Sequence, residues 1–119
     1  MLRIPPDLFK QIDNTMPLFC VDVIIEHQGQ VLFVHRKEHP AKDHWWLIGG
    51  RVLKGETLQQ AAKRKADEEA GLSIEIVKQL GTYEMTFQHS SFEDVETGRH
   101  TINVVFLAKL SNENQTVEL

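Results

Sequence analysis

The residues best suited to chemistry lie between Gly49 and Leu72. Gly49-Gly50 precedes Arg51, Glu56 follows Gly50 after five residues, and seven more lead to Arg64-Lys65-Ala66-Asp67-Glu68-Glu69-Ala70-Gly71-Leu72. On a helix with Arg64 as origin, Glu68 falls at about 40°, Lys65 at about 100° and Glu69 at about 140°. The four therefore share one face, expected opposite the stripe of alanines at 61, 62, 66 and 70. Adjacent carboxylates, with a backbone carbonyl from the glycine loop, offer the hard oxygens that Mg2+ prefers, and substrate phosphates and water would complete the shell. Gly49 and Gly50 let the backbone approach a ligand closely. Arg51 and Arg64 supply positive charge for phosphate oxygens. Pairs such as Arg64 with Glu68 are common decoration of exposed helices, worth only about 0.3–0.5 kcal/mol. The combination with the glycine loop at this spacing is what points to a divalent ion beside substrate phosphate.

The whole chain frames that site. Its 119 residues are enough for one domain, and 41% apolar with 25% charged residues is the balance of a globular protein. A net charge of −4 argues against nucleic acid or an anionic membrane as partner. An acidic chain that handles phosphate must concentrate positive charge locally. Cys20 is the single cysteine and sits in an apolar run, where a buried thiol is expected. The N-terminus carries Arg3 and Pro5-Pro6 rather than a continuous apolar stretch, and no run approaches the roughly 20 residues of a membrane span. A cytoplasmic location is the expectation.

The elements that must position these residues can be read from periodicity. Residues 6–14 are expected as a short helix with Leu8, Phe9 and Ile12 on one side. Residues 18–25 predict a buried strand, His27 to Gln30 a turn, Val31 to His35 a second strand, and His44 to Ile48 a third ending at the glycine pair. Trp45 and Trp46 alternate faces, one for the core and one to wall the site. Thr57 and Gln60 have the spacing of a capping box, and Gly71 is the C-terminal stop. Ile74 to Val77, Tyr83 to His89 and Thr101 to Leu110 read as strands, with Ser90 to Arg99 a polar surface loop. Strands, a central helix and strands again predict an α/β sandwich with a mixed sheet.

The segment from Gly50 to Leu72 resembles the Nudix box, in which Gly, Glu, Arg, paired carboxylates, Gly and an apolar residue recur at these spacings. The resemblance implies one Nudix domain over residues 1–119, with its box at 50–72, folded as an α/β/α sandwich with a mixed β-sheet. If a further strand and helix belong to this domain, they lie outside this chain. Glu56 with Arg64 is expected as an ion pair bracing the loop against the helix.

One position departs from the box: Lys65 stands where the family usually has Glu, a metal ligand that often helps activate water. The charge over positions 65, 68 and 69 drops accordingly, and Lys65 could neutralise Glu69 through an i,i+4 pair. That leaves one Mg2+ rather than a cluster, which suits activation of a departing diphosphate while water attacks a sugar carbon. The GDP-mannose mannosyl hydrolase branch works this way, also lacks that Glu, and is the branch this chain most resembles. The likeness extends to residues 17–26, Arg36, Trp46 and the run Gly49-Gly50-Arg51-Val52. It implies catalytic roles for Asp22 and Arg36, phosphate contacts for Arg36, Arg51 and Arg64, and metal binding by Glu69 with the Gly49 carbonyl, Glu68 beside them. Phe9 falls where an aromatic residue helps bind the nucleobase, and a homodimer is implied. Ile48 replaces the Pro usual before the glycines, and Asn103 stands where that branch has a substrate-contacting Tyr. That branch's adjacent Gln and His, a ligand and the general base, would lie beyond residue 119.

Within the chain His89 is the histidine best placed to act as base, with an ordinary surface histidine as the alternative. Asp22, a carboxylate in an apolar strand, must be paired, either with Arg36 on a neighbouring strand or with substrate. The leading expectation is Mg2+-dependent hydrolysis of a nucleoside diphosphate sugar such as GDP-mannose. The alternatives are a pyrophosphohydrolase attacking phosphorus, with Glu68 and Glu69 as ligands, and a non-catalytic nucleotide-sugar binding module.

Overall fold

The computed structural model describes residues 3–37, 42–90 and 98–117. In chain order the elements are α1 (Pro6–Thr15), β1 (Leu18–His27), β2 (Gln30–Val31), β3 (Val34–His35), β4 (Trp45–Trp46), β5 (Ile48–Arg51), α2 (Leu58–Ala70), β6 (Ile74–Phe87) and β7 (Arg99–Leu110). The main sheet runs β2-β1-β7-β6, with β5 also paired to β1, and a small β3-β4 ribbon stands apart. β1 and β7 are parallel, whereas β5 on β1 and β6 on β7 are antiparallel. The sheet is thus mixed, and the long connection that a parallel pair needs contains α2.

Alternation along β1 divides the fold into two faces. Val21, Val23 and Ile25 join Val104, Phe106 and Ala108 of β7 in the core under α2. Ala61, Ala62, Ala66 and Ala70 are all fully buried there, and such small side chains let a helix lie close to a sheet. Leu18, Cys20 and Asp22 point to the other face, where Leu18 and Cys20 pack with Phe9 of α1. One helix lies on each side of the sheet, as expected, although α1 covers only one end.

The local signals around α2 behave as expected. Thr57 Oγ1 accepts from the Gln60 amide at 3.1 Å and Gln60 Oε1 accepts from the Thr57 amide at 2.8 Å. Gly71 closes the helix at φ 65°. The β1-β2 turn uses Gln28 and Gly29 at φ 52° and 78°, the left-handed pair that a two-residue hairpin requires.

Several boundaries differ from expectation. Val31 to His35 is not one strand, because β2 stops after pairing with β1 and β3 turns away to pair with β4. Gly49 and Gly50 lie within β5 rather than ending a strand, since their backbone pairs with Asp22 and Val21. The two strands expected between 74 and 89 are one, with register shifts between Ile76 and Lys78 and between Gln79 and Gly81. Trp45 is 67% exposed and takes no place in the core. The charged face of α2 lies beside the alanine stripe rather than opposite it: the Lys65 and Glu69 side chains keep only 18% and 24% of their exposure. Residues 91–97 of the expected surface loop lie outside the described residues, but its ends, Ser90 and Arg99, are bonded into the interior.

Candidate active site

The face of the sheet not covered by α2 forms the floor of a cleft of about 330 Å³. Strand register explains its make-up: Asp22 lies across from Gly49, Cys20 across from Arg51 and Asn103, and Tyr83 across from Asn103. Arg36, Arg51, Lys65 and Arg99 line it and, among the described residues, Asp22 and Glu69 are its carboxylates. This is a local excess of positive charge in a chain whose net charge is −4.

Asp22 is buried at 3% exposure and is satisfied from two sides. Its Oδ2 accepts from the Tyr83 hydroxyl and from Asn103 Nδ2, the latter at 2.8 Å, and Asn103 Oδ1 in turn accepts from Thr101 Oγ1 at 2.6 Å. Burial pushes the Asp22 carboxyl above its ordinary range, against the pull of these two hydrogen bonds and of the Arg36 charge. Burial and the bond to Asp22 push the Tyr83 phenol up. A side chain on Gly49 would strike Asp22 Oδ1 and the Val21 carbonyl, so the glycine is required by this close pairing. Asn103 therefore does have a place in the cleft, as a partner of Asp22.

The expected loop brace is present. Arg64 meets Glu56 through Nε at 3.0 Å and Nη2 at 2.8 Å, and Nη2 also donates to the Arg51 carbonyl at 2.8 Å. Glu56 closes the turn by accepting from the Leu53 amide at 2.8 Å. The Arg64 bonds hold the Glu56 carboxyl below its usual range. Arg64 is thus committed to bracing the loop and is not among the residues lining the cleft.

Glu68 and Glu69 part company. Glu68 accepts from Arg3 at 2.5 Å and Arg64 at 3.1 Å, with Lys65 at 3.5 Å, and it does not line the cleft. Burial raises its carboxyl, but these three cations outweigh burial and leave it below the ordinary range. Glu69 does line the cleft. Its Oε1 lies 3.3 Å from Lys65 Nζ, and its Oε2 is buried without a hydrogen-bond partner among the described residues. A buried, unpartnered carboxylate oxygen is costly, and a divalent cation would satisfy it. Among the described residues no cluster of three His, Cys, Asp or Glu side chains could hold a metal. An ion held at Glu69 would have to take most of its ligands from substrate and water.

Phe9 reaches the cleft from α1 and carries the Arg51 guanidinium 3.7 Å above its ring and that of Arg99 at 5.4 Å. Burial, then the neighbouring Arg99 charge, lowers the Arg51 pKa. Arg36 lines the cleft, as does Trp46, whose ring meets Phe87 edge-on at 6.0 Å. His89 is exposed beyond the end of β6 and is not among the lining residues. Cys20 is buried, as expected, and burial pushes its thiol up to about 11.

Sequence reasoning passed over Tyr83 and Arg99. Arg99 donates to the buried Asp13 at 2.8 Å and to Ser90 at 3.3 Å, fixing α1 to the start of β7. The signal available was Asp13 itself, a carboxylate one helical turn from Phe9 on the buried side of α1. Tyr83 carried no comparable local signal.

The chain is 38% identical to the Low-salt glycan biosynthesis protein Agl8 of Haloferax volcanii over 94% of its length and 71% of that protein's. It is 36% identical to an ADP-ribose pyrophosphatase of Methanocaldococcus jannaschii over 76% of its own length and half of that protein's. A MutT NUDIX hydrolase from Burkholderia pseudomallei shares the fold at a TM-score of 0.70 and 29% identity, over 87% of this chain and 75% of that one. The family model of the NUDIX domain matches residues 16–118; the chain belongs to the NUDIX hydrolase family.

Proposed function

We propose that this chain hydrolyses a nucleoside diphosphate sugar resembling GDP-mannose, releasing the nucleoside diphosphate and the sugar. The observation that carries this reading is the separation of the two box carboxylates. Glu68 is taken up by Arg3, Arg64 and Lys65, which leaves Glu69 as the box carboxylate that lines the cleft, with one oxygen lacking a hydrogen-bond partner among the described residues. One carboxylate with the Gly49 carbonyl suits a single Mg2+ held jointly with the substrate. When bound, Mg2+ neutralises charge on the departing diphosphate.

Arg36 and Arg51 bind the diphosphate and gain most as its charge grows during departure. Phe9 offers its ring to the base. Asp22, whose carboxyl burial makes a better proton acceptor, takes the proton of the attacking water at its carboxylate. Tyr83 and Asn103 orient it. The name of the Haloferax relative, which places it in glycan biosynthesis, favours a sugar-bearing substrate.

A second reading, attack at phosphorus as in a pyrophosphohydrolase, is favoured by the Methanocaldococcus relative's name. Hydrolysis in heavy-oxygen water separates the two. Label recovered in the sugar supports the first reading, and label recovered in a phosphate supports the second. Tight binding without any product would leave a binding module.

A further inference from the structure

Lys65 is a cation built into the place where a cation is needed. Its stem crosses the glycine loop: a Cβ on Gly50 would lie 2.7 Å from Lys65 Cε and 3.1 Å from Cδ, so the missing side chain of Gly50 is what admits it. Its Nζ lies 3.3 Å from Glu69 Oε1 and 3.5 Å from Glu68 Oε2. Both contacts are long for charge-assisted hydrogen bonds, which favour about 2.7–2.9 Å. The side chain lines the same cleft as Arg36 and Arg51. An ammonium on a rotatable four-carbon stem can exchange one oxygen partner for another.

We propose that Lys65 is a counter-ion for Glu69 in the free protein and moves to the diphosphate when it binds, so that the divalent ion and the diphosphate enter together. This rests on the reading of Glu69 and the cleft as a metal-diphosphate site. Before substrate arrives, Lys65 partly neutralises Glu69 and so weakens binding of the ion alone. Phosphate oxygens then offer Lys65 a better partner, and Glu69 is released to the metal. Metal and diphosphate consequently favour each other's binding, and by linkage the coupling is the same in both directions.

The experiment compares the wild-type chain with Lys65→Gln, and with Lys65→Met, which keeps most of the stem and removes the charge. Mn2+ binding to the free protein is followed by loss of the free-ion electron paramagnetic resonance signal. GDP and ADP binding is followed by calorimetry in a metal chelator. Both variants are expected to bind Mn2+ about tenfold tighter and the metal-free nucleotides about tenfold weaker, each a change of about 1.4 kcal/mol. A merely structural role for Lys65 would not move the two constants in opposite directions. Equal Mn2+ affinities, or nucleotide binding that does not weaken, would overturn the role of Lys65 while leaving the site itself intact. If no protein binds Mn2+ even with GDP present, the site reading fails and this inference fails with it.

Discussion

Glu68 and Glu69 are adjacent carboxylates with the same chemistry, and one step of helix gives them different work. Glu68 turns toward Arg3 and Arg64 at the surface, whereas Glu69 enters the cleft with one oxygen lacking a partner among the described residues. Glu69→Gln is therefore expected to reduce Mg2+-dependent kcat/KM by about a hundredfold or more, a loss of about 3 kcal/mol or more in transition-state stabilisation, while Glu68→Gln costs less than about tenfold. Equal losses in steady-state kinetics would point to both carboxylates as ligands and to the pyrophosphohydrolase reading. Asp22 makes a prediction about pH. Burial raises its folded-state pKa above the unfolded value of 3.8, so the native state binds the proton more tightly than the unfolded chain does. Its contribution to stability is thus fully present below the unfolded pKa and is lost as pH rises through the folded one. Asp22→Asn does not titrate. Thermal melting from pH 4 to 8 should show wild type losing ground to this variant as pH rises, and the reverse trend would contradict the burial account.

At the scale of the element, the glycine loop and α2 act as one piece because Arg64 holds them together. It bonds Glu56 twice and the Arg51 carbonyl once, with the Glu56 side chain only 2% exposed. Glu56→Gln weakens a nearly buried charge pair and should cost about 2–3 kcal/mol in urea unfolding. A loss under about 0.5 kcal/mol, as for an exposed pair, would show that the brace is not structural. These elements were legible in the sequence because their signals are local. Thr57, Gln60 and Gly71 act within a turn of themselves, and the spacing of Glu56 and Arg64 is fixed by one loop and one helix. The floor of the cleft was not legible in the same way. Tyr83 meets Asp22 across 61 positions and Arg99 meets Asp13 across 86, and such contacts depend on strand register that no short window contains. Arg64 marks the intermediate case, where spacing identified its brace to Glu56 and only the fold revealed its bond to the Arg51 carbonyl.

Across the whole molecule, a chain of net charge −4 concentrates four cationic side chains around one cleft. Nucleoside diphosphate binding should therefore weaken steadily as salt is raised from about 0.05 to 0.5 M, because ions screen exposed charges over distances of about 10 Å and less. Affinity independent of salt, measured by calorimetry, would contradict electrostatic capture. Asp13 extends the site to the N-terminal helix, since it pairs with Arg99, and Arg99 and Arg51 both lie over Phe9. All these parts meet in a single claim, that one divalent ion sits on Glu69 and shares its shell with a diphosphate held by Arg36 and Arg51. The most direct test is a crystal structure determined with Mg2+ and GDP. The expected result is density for one metal bound to Glu69 and to phosphate oxygens, with Glu68 still held by arginine. Metal on Glu68, several ions on both acids, or a diphosphate bound away from Arg36 and Arg51 would contradict it.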